Sequence, residues 1–180
     1  GGIMETQNGL IHIYCGDGKG KTTAAFGLAM RCAGYGQHVL IVQFLKGWDS
    51  GELRVAERFA EIKLLRGDAS NKFVFQMDDG EKQAVLKKHT EIVARAKTLL
   101  SDGGFRLLIL DEVLSAWNLG LVGHSAVLQL LQDRPAEVEV VMTGRNPPPE
   151  LSALADYISE VRKVRHPYDR GIDARRCIEF

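Results

Sequence analysis

The chain alternates short apolar runs with longer segments in which apolar residues recur at helical spacing. Short, nearly continuous apolar runs are typical of strands that are buried on both faces of a sheet. We predict five such strands and a sixth candidate at residues 157–161. The five are residues 10–14, 39–44, 62–65, 107–110 and 138–142.

Helical patterns fall between these runs. The clearest covers residues 81–100, with apolar or buried-type residues at 85, 89, 92, 96 and 99. Asp78 or Asp79 can cap its start, and the glycines at 103 and 104 end it. Two further helices are predicted at residues 22–33 and 124–134. Strands that alternate with helices predict an α/β fold of three layers, with a mainly parallel sheet of five to six strands.

Length and composition favour a single domain. The chain has 180 residues, of which 45% are apolar, which is enough for one full core. Residues 1–8 are expected to be a tag or disordered start, because Gly1 and Gly2 precede Met4. Residues 9–180 are expected to form the domain.

The charge balance gives no reason to expect an anionic macromolecule as a partner. Twenty-three basic residues match 23 acidic ones, so nothing favours a nucleic acid or an anionic membrane as a partner. No run approaches the ~18 apolar residues of a membrane span. The three cysteines are odd in number and widely spaced, which indicates a reducing compartment and a cytoplasmic location.

A glycine-rich loop carries the strongest chemical signal. Residues 15–23 read CGDGKGKTT and stand between a predicted strand and a predicted helix. That order is typical of a phosphate-binding P-loop, although Cys15 stands where the general pattern has its first glycine. Backbone N–H groups of such a loop surround a polyphosphate, Lys21 reaches phosphate oxygens, and Thr22 ligates Mg²⁺.

Polar side chains follow the other predicted strands. Ligands of open α/β sheets bind beyond the carboxyl ends of the strands. The second strand ends at Gln43, with Lys46 just after it, and the fourth is followed by Asp111 and Glu112. Either carboxylate can support the metal, and the sequence leaves open which one lies nearer.

Two arginines are further candidates. Arg145 follows the fifth strand and can offer a guanidinium fork to phosphate oxygens. Arg31 lies in the first helix, where an ordinary solvated helix face is an equal alternative. From the residues alone, three functions fit: a kinase, a nucleotide-hydrolysing switch, or a transferase that uses another part of ATP. No general-base signature selects among them.

Six segments together carry a family resemblance. They read GDGKGKTTAAFGLAMRCAGYG (16–36), VQFLKG (42–47), LDEV (110–113), TGRN (143–146), LADYISE (154–160) and HPYDRGIDARRCIEF (166–180). In this order they resemble the P-loop class of ATP:corrinoid adenosyltransferases. The last segment is the most discriminating, because general P-loop ATPases lack it. The family's loop also departs from the general pattern at the position of Cys15.

The resemblance implies a fold and an activity. The fold would be that of a P-loop NTPase (RecA-like), with three α/β/α layers. The enzyme would transfer the 5′-deoxyadenosyl group of ATP to cobalt(I) of a corrinoid, release triphosphate and make adenosylcobalamin. The alternative that we keep is a P-loop small-molecule kinase, which would transfer the γ-phosphoryl group.

The resemblance also implies roles for individual residues. Catalytic roles fall to Lys21, Thr22 and Glu112, and metal ligation to Thr22, Asp111 and Glu112. Aromatic residues before the long helix would lie against the corrinoid and displace its axial base, with Phe73 and Phe75 as the candidates here. The residues expected to bind the two substrates are Gly16, Asp17, Gly18, Lys19, Gly20, Lys21, Thr22, Thr23, Arg31, Gln43, Lys46, Arg145, Phe73 and Phe75.

Cofactors and partners follow from the same resemblance. ATP and a reduced corrinoid are the expected substrates, with Mg²⁺ as the cofactor and Mn²⁺ as its substitute. A flavoprotein reductase and an adenosylcobalamin-dependent client enzyme are the expected protein partners. A homodimer is expected, without nucleic acid or membrane.

Overall fold

The structure is a computed structural model that describes residues 8–47, 51–67 and 74–179. Within these residues six strands form one parallel sheet in the order β3-β2-β4-β5-β1-β6. The strands are β1 (Ile11–Cys15), β2 (His38–Gln43), β3 (Ile62–Arg66), β4 (Phe105–Asp111), β5 (Glu139–Thr143) and β6 (Tyr157–Glu160). All five predicted strands and the sixth candidate are confirmed.

Helices connect the strands. They are α1 (Lys21–Gly34), α2 (Gly51–Arg58), α3 (Asp79–Ser101), α4 (Val113–Asn118), α5 (His124–Asp133) and α6 (Pro149–Ser152). Single 3-10 turns occupy Val74–Gln76 and Pro167–Arg170. The three predicted helices correspond to α1, α3 and α5. None of the helices in the described ranges is long and apolar enough to cross a bilayer.

The sheet separates two apolar layers. On one face Ala25, Phe26 and Ala29 of α1 pack against strand residues such as Ile41 and Ile109, and residues of α2 pack at the margin of this layer. On the other face α3, α4 and α5 pack against the alternate strand residues. Since both faces are covered, the central strands read as continuous apolar runs.

A reciprocal cap fixes the start of α3. Asp78 accepts a hydrogen bond from the Glu81 N–H at 2.8 Å, and Glu81 accepts one from the Asp78 N–H at 3.0 Å. This capping box satisfies two backbone donors that a helix start otherwise leaves unpaired. Asp78 is therefore the N-cap, one of the two residues predicted for that role.

Candidate functional site

The glycine loop links β1 to α1. Gly16 and Gly20 have φ values of 113° and 115°, which L side chains rarely adopt. A Cβ added to Gly18 would lie 2.8 Å from the Val161 carbonyl oxygen. Glycine is thus required at Gly16 and Gly20 by backbone conformation and at Gly18 by the close approach of another chain segment.

That segment is residues 161–163, which continue from β6 and which we term the brace. The Val161 N–H donates to the Cys15 carbonyl, and the Val161 carbonyl accepts from the Gly18 N–H, both at 2.8 Å. The Lys163 N–H donates to Asp17 Oδ1 at 2.9 Å. This last bond is the main reason why the pKa of Asp17 is lowered. The brace therefore holds the front of the loop.

Lys21 opens α1 and folds back over the loop. Its ammonium donates to the Gly18 carbonyl at 2.8 Å. Burial lowers the pKa of Lys21, and the nearby Glu112 carboxylate opposes that shift. The charge is therefore held at the mouth of the loop, where an anionic ligand would compensate for lost hydration.

Asp111, the last residue of β4, is the centre of the site. Its side chain is fully buried and accepts four hydrogen bonds. Thr22 and Thr143 each donate to Oδ1 at 2.8 Å. Gln43 donates to Oδ2 at 3.2 Å, and the Lys46 ammonium does so at 2.9 Å. The carboxylate is thereby fixed beside the hydroxyl at the head of α1.

Glu112 lies next to this network in a strained conformation. Its φ is 63°, and its N–H donates to Thr143 Oγ1 at 2.9 Å. Ser115 donates to Glu112 Oε2 at 2.8 Å. A non-glycine residue with positive φ costs free energy and is often found at functional sites. Of the two carboxylates, Asp111 is the one that contacts Thr22.

A buried histidine positions Lys46. His89 of α3 accepts from the Leu45 N–H through Nε2 at 3.3 Å and donates from Nδ1 to the Leu121 carbonyl at 2.8 Å. Both partners fix the neutral form with its proton on Nδ1. Burial, which the bond to Leu121 opposes, lowers the pKa of His89. Leu45, with φ of 59°, is held in a sharp turn that directs the next residue, Lys46, to Asp111.

A cavity of about 330 Å³ lies beside the start of the loop. Its lining includes Gly16, Asp17 and Arg145 together with Glu160 and Arg162. The loop that carries Arg145 is tied to α4, because Asn118 donates to the Arg145 and Asn146 carbonyls. The structure therefore brings Arg145 to the glycine loop. Lys19 and Thr23, also predicted site residues, are exposed on that loop and at the first turn of α1.

Arg31 lies elsewhere. It is in the last turn of α1, ten residues from Lys21, which corresponds to about 15 Å along the helix. It lines a separate cavity with His12 and Glu139, near the amino-terminal ends of the strands, whereas the glycine loop lies at their carboxyl ends. The structure does not bring Arg31 to the loop, and we leave it out of the site.

The aromatic candidates lie before α3. Phe73 is outside the described residues. Phe75 is in the turn Val74–Gln76 and is 83% exposed, so it is not core packing. The adjacent Val74 and the distant Leu45 both pack against one apolar cluster, formed by Met77, Val85 and Leu121. That contact places the turn at the same edge of the sheet as Lys46.

Three residues of the site have roles that the sequence alone does not assign to them. Thr143 and Ser115 hold Asp111 and Glu112, and Arg66 donates to Gln43 Oε1 from Nε at 3.1 Å and from Nη2 at 2.7 Å. Thr143 ends a strand, which was a usable signal. Arg66 acquires its role only from the lateral pairing of β3 with β2.

Cys15 packs beneath the loop. It is buried in the apolar layer, and its thiol lies 3.6 Å from the Ser159 carbonyl. Burial is the main cause that raises its pKa, and Glu160 adds to the effect. A raised pKa disfavours the reactive thiolate, so Cys15 is a small packing residue here.

The donor set is suited to magnesium. Thr22 and Asp111 offer hydroxyl and carboxylate oxygens within one hydrogen bond of each other. In the described part of the chain, no cluster of three or more His, Cys, Asp or Glu side chains could enclose an ion. Mg²⁺ commonly binds through one or two protein oxygens plus phosphates and water, and these residues fit that pattern.

Comparison with known proteins gives consistent matches. A family model described as ATP:corrinoid adenosyltransferase BtuR/CobO/CobP matches residues 7–180. The corrinoid adenosyltransferase of Escherichia coli K12 is 33% identical over 178 residues, which are 98% of this chain and 88% of the relative. The corrinoid adenosyltransferase of Pseudomonas aeruginosa is 34% identical over 175 residues, 97% of this chain and 85% of the relative.

A solved structure is similar in fold. The KaiC-like protein PH0186 of Pyrococcus horikoshii OT3 superposes with a TM-score of 0.50 and 17% identity, over 86% of this chain and 73% of that chain. At this identity the likeness concerns the fold alone. Together with the glycine loop between β1 and α1, it confirms the predicted P-loop α/β fold.

Proposed function

The chain belongs to the ATP:corrinoid adenosyltransferase family, and from this premise we propose how its site carries out adenosyl transfer. The enzyme transfers the 5′-deoxyadenosyl group of ATP to the cobalt of a corrinoid. One observation carries the assignment: the family match covers residues 7–180, and it therefore includes both the glycine loop and the brace that bonds to this loop. The family match thus includes the segments that build the phosphate site.

The reaction needs no general base from the protein. The electron pair of cobalt(I) attacks C5′ of ATP, the cobalt–carbon bond forms, and the bond from C5′ to the α-phosphate oxygen breaks. Triphosphate leaves with the electron pair of the broken C5′–O bond. The substrate supplies the nucleophile, so the protein has to align cobalt, C5′ and the leaving oxygen, and to stabilise charge on the triphosphate.

We assign the triphosphate to the glycine loop. Lys21 exchanges its bond to the Gly18 carbonyl for phosphate oxygens, and its partial burial strengthens that charge interaction. The backbone of residues 16–20 and the start of α1 supply N–H donors. Lys46 and Arg145 are the further cations at this edge of the sheet.

The metal belongs beside Thr22 and Asp111. These two residues would hold Mg²⁺, with Glu112 in support through Ser115 and its proximity to Lys21. Mn²⁺ has the same ligand preferences and is expected to substitute. When bound, the ion would neutralise charge that develops on the triphosphate as the C5′–O bond breaks.

We place the corrinoid against the turn before α3. Phe75 is an exposed aromatic side chain on a turn that is anchored next to Lys46. An aromatic face there would cover the lower side of the corrinoid and exclude its axial base. We expect Phe75→Ala to slow adenosylation of base-on cobalamin more than reaction with pre-formed cobalt(I), as measured by initial rates. Equal losses on both substrates would contradict this role.

The remaining assignments concern assembly and location. We propose a homodimer in the cytoplasm, with a flavoprotein as electron donor and an adenosylcobalamin-dependent enzyme as recipient. The exposed edge strand β6 supports self-association, because Tyr157 and Ile158 are 51% and 52% exposed. Light scattering tests the oligomeric state directly. Residues 9–180 are proposed to act as one domain.

The deciding experiment supplies the protein with Mg-ATP and a chemically reduced corrinoid. We expect the light-sensitive absorption spectrum of a cobalt–carbon bond and the release of inorganic triphosphate. Lys21→Met serves as the inactive control, because it removes the cation from the loop. A kinase would instead form ADP without any corrinoid. Formation of ADP, or no light-sensitive product, would reject the proposed function.

A further inference from the structure

Three polar residues end neighbouring strands at the same level of the sheet. Gln43 of β2 is in register with Arg66 of β3 on one side and with Asp111 of β4 on the other. Side chains in register on parallel strands point to the same face of the sheet. Arg66, Gln43 and Asp111 therefore form a lateral row on the face that α1 covers.

Hydrogen bonds run along this row in one direction. Arg66 donates to Gln43 Oε1 through Nε and Nη2, and Gln43 Nε2 donates to Asp111 Oδ2 at 3.2 Å. A guanidinium has only donors, so it fixes the Gln43 amide with its oxygen towards Arg66 and its NH₂ group towards Asp111. The terminal torsion of a glutamine is otherwise broad, and the amide would be free to rotate.

The orientation matters because of the second donor to Asp111 Oδ2. That donor is Lys46, a flexible cation whose ammonium is suited to phosphate as well as to carboxylate. When Lys46 moves to a triphosphate, Gln43 is the donor that remains on Oδ2. Asp111 Oδ1 then stays directed towards the Thr22 hydroxyl, which lies 2.8 Å away.

We propose that Arg66 is a positioning residue for the metal site. Acting through Gln43, it holds the Asp111 carboxylate in the orientation that a magnesium ion beside Thr22 requires. Arg66 thus sets the affinity for Mg-ATP rather than the affinity for ATP alone. The inference rests on the proposed assignment of Asp111 to the metal.

The test is ATP binding without a corrinoid, because ATP is then bound but not consumed. Calorimetric titrations with and without Mg²⁺ give the metal-dependent gain in affinity for each variant. For Arg66→Met we expect the Mg²⁺-dependent gain to fall about fivefold to tenfold, the size of one orienting hydrogen bond. ATP affinity in the presence of a chelator should change less than about twofold. Arg66→Lys retains a cation but lacks the guanidinium fork, so its Mg²⁺-dependent gain in affinity should lie between those of the wild type and Arg66→Met.

Two controls separate positioning from charge and from folding. Lys63→Met removes a cation from an exposed position of the same strand and should leave both affinities unchanged. Thermal unfolding verifies that each variant is folded. If Arg66→Met does not fold, the Mg²⁺-dependent gain in affinity is measured on Arg66→Lys instead. Arg66→Met combined with Gln43→Leu should bind Mg-ATP no more weakly than Gln43→Leu alone, because the two act in series.

Either of two results would overturn the proposal: additive losses in the double variant, or an Arg66→Met loss that is the same with and without Mg²⁺. The proposed function fails separately. A protein that binds Mg-ATP with the expected Arg66 dependence but forms no cobalt–carbon bond would refute adenosyl transfer and leave the role of Arg66 intact.

Discussion

Buried polarity in this molecule is concentrated at its site. The fully buried polar side chains of the described residues are Gln43, His89, Asp111 and Thr143. Three of them form the network at the end of β4, and His89 holds the turn that carries Lys46. Burying a polar group is unfavourable unless its hydrogen bonds are satisfied, and each of these has named partners. The polar side chains that are most unfavourable to bury are therefore concentrated at the candidate site.

His89 makes stability depend on pH. Its pKa is lowered in the folded state, chiefly by burial, so the unfolded chain binds a proton at a higher pH than the folded chain does. Stability is then complete above the unfolded pKa of about 6.5 and is lost as the pH falls below it. The loss is at most about 1.4 kcal/mol per pH unit for one proton. A proton on Nε2 would also remove the acceptor for the Leu45 N–H and place two donors against each other.

The measurement is denaturant unfolding of the wild type and of His89→Gln between pH 8 and pH 5. Glutamine retains one donor and one acceptor but does not titrate. We expect the variant to be less stable at pH 8 and to have a shallower dependence on pH. Parallel curves for the two proteins would show that the pH dependence arises from other groups.

Among the elements, α3 allows a direct test of how much an N-cap residue stabilises a helix. Asp78→Ala removes the acceptor for the Glu81 N–H and should lower the free energy of unfolding by about 1 kcal/mol. Asp78→Asn retains a capping oxygen and should cost much less, since Asn and Asp are similar N-caps. Urea unfolding at neutral pH measures both changes. Equal losses would mean that the charge of Asp78, rather than its cap, stabilises α3.

Elements were predictable where one local signal was sufficient. The strands were predictable because burial on both faces of the sheet gives nearly continuous apolar runs. Helix α3 was predictable because burial on one face gives apolar residues at helical spacing and because a capping residue marks its start. Helix α4 was missed, since it has only six residues and begins directly after β4 without a loop. Short helices owe their stability to tertiary packing more than to their own sequence.

The candidate site residues also divide into those that a local sequence motif indicates and those whose role depends on the tertiary fold. The glycine loop, Lys21 and Asp111 belong to local motifs at strand ends, so the sequence alone nominates them as site residues. Arg66 depends on which strands are neighbours in the sheet, and sequence order does not specify that. Arg31 lies about 15 Å from Lys21 along α1, since ten residues at about 1.5 Å each separate the two, and helix length alone therefore places it away from the loop.

At the scale of the whole molecule, the C-terminal segment joins the far edge of the sheet to the glycine loop. Strand β6 pairs with β1, and the brace then bonds to Cys15, Asp17 and Gly18. The side chain of Lys163 also forms an ion pair with Asp169 at 3.1 Å on the surface. Exposed ion pairs of this kind contribute about 0 to 1 kcal/mol. The brace, not the surface pair, should therefore determine the shape of the loop.

Two truncations separate these contributions. A chain that ends at Arg165 keeps β6 and every brace bond, whereas a chain that ends at Asp156 loses both. We expect the free energy of unfolding of the first to lie within about 1 kcal/mol of that of the full chain, since the hydrogen bonds and the ion pair that it loses are exposed. Its affinity for Mg-ATP should change less than about threefold. The second exposes the edge of β1 and frees the backbone of the loop, so ATP binding should fall below detection. Thermal unfolding measures the stability of each truncated chain, and calorimetry measures its affinity for Mg-ATP. If the chain ending at Arg165 also fails to bind ATP, the terminal residues rather than the brace hold the loop in its phosphate-binding form.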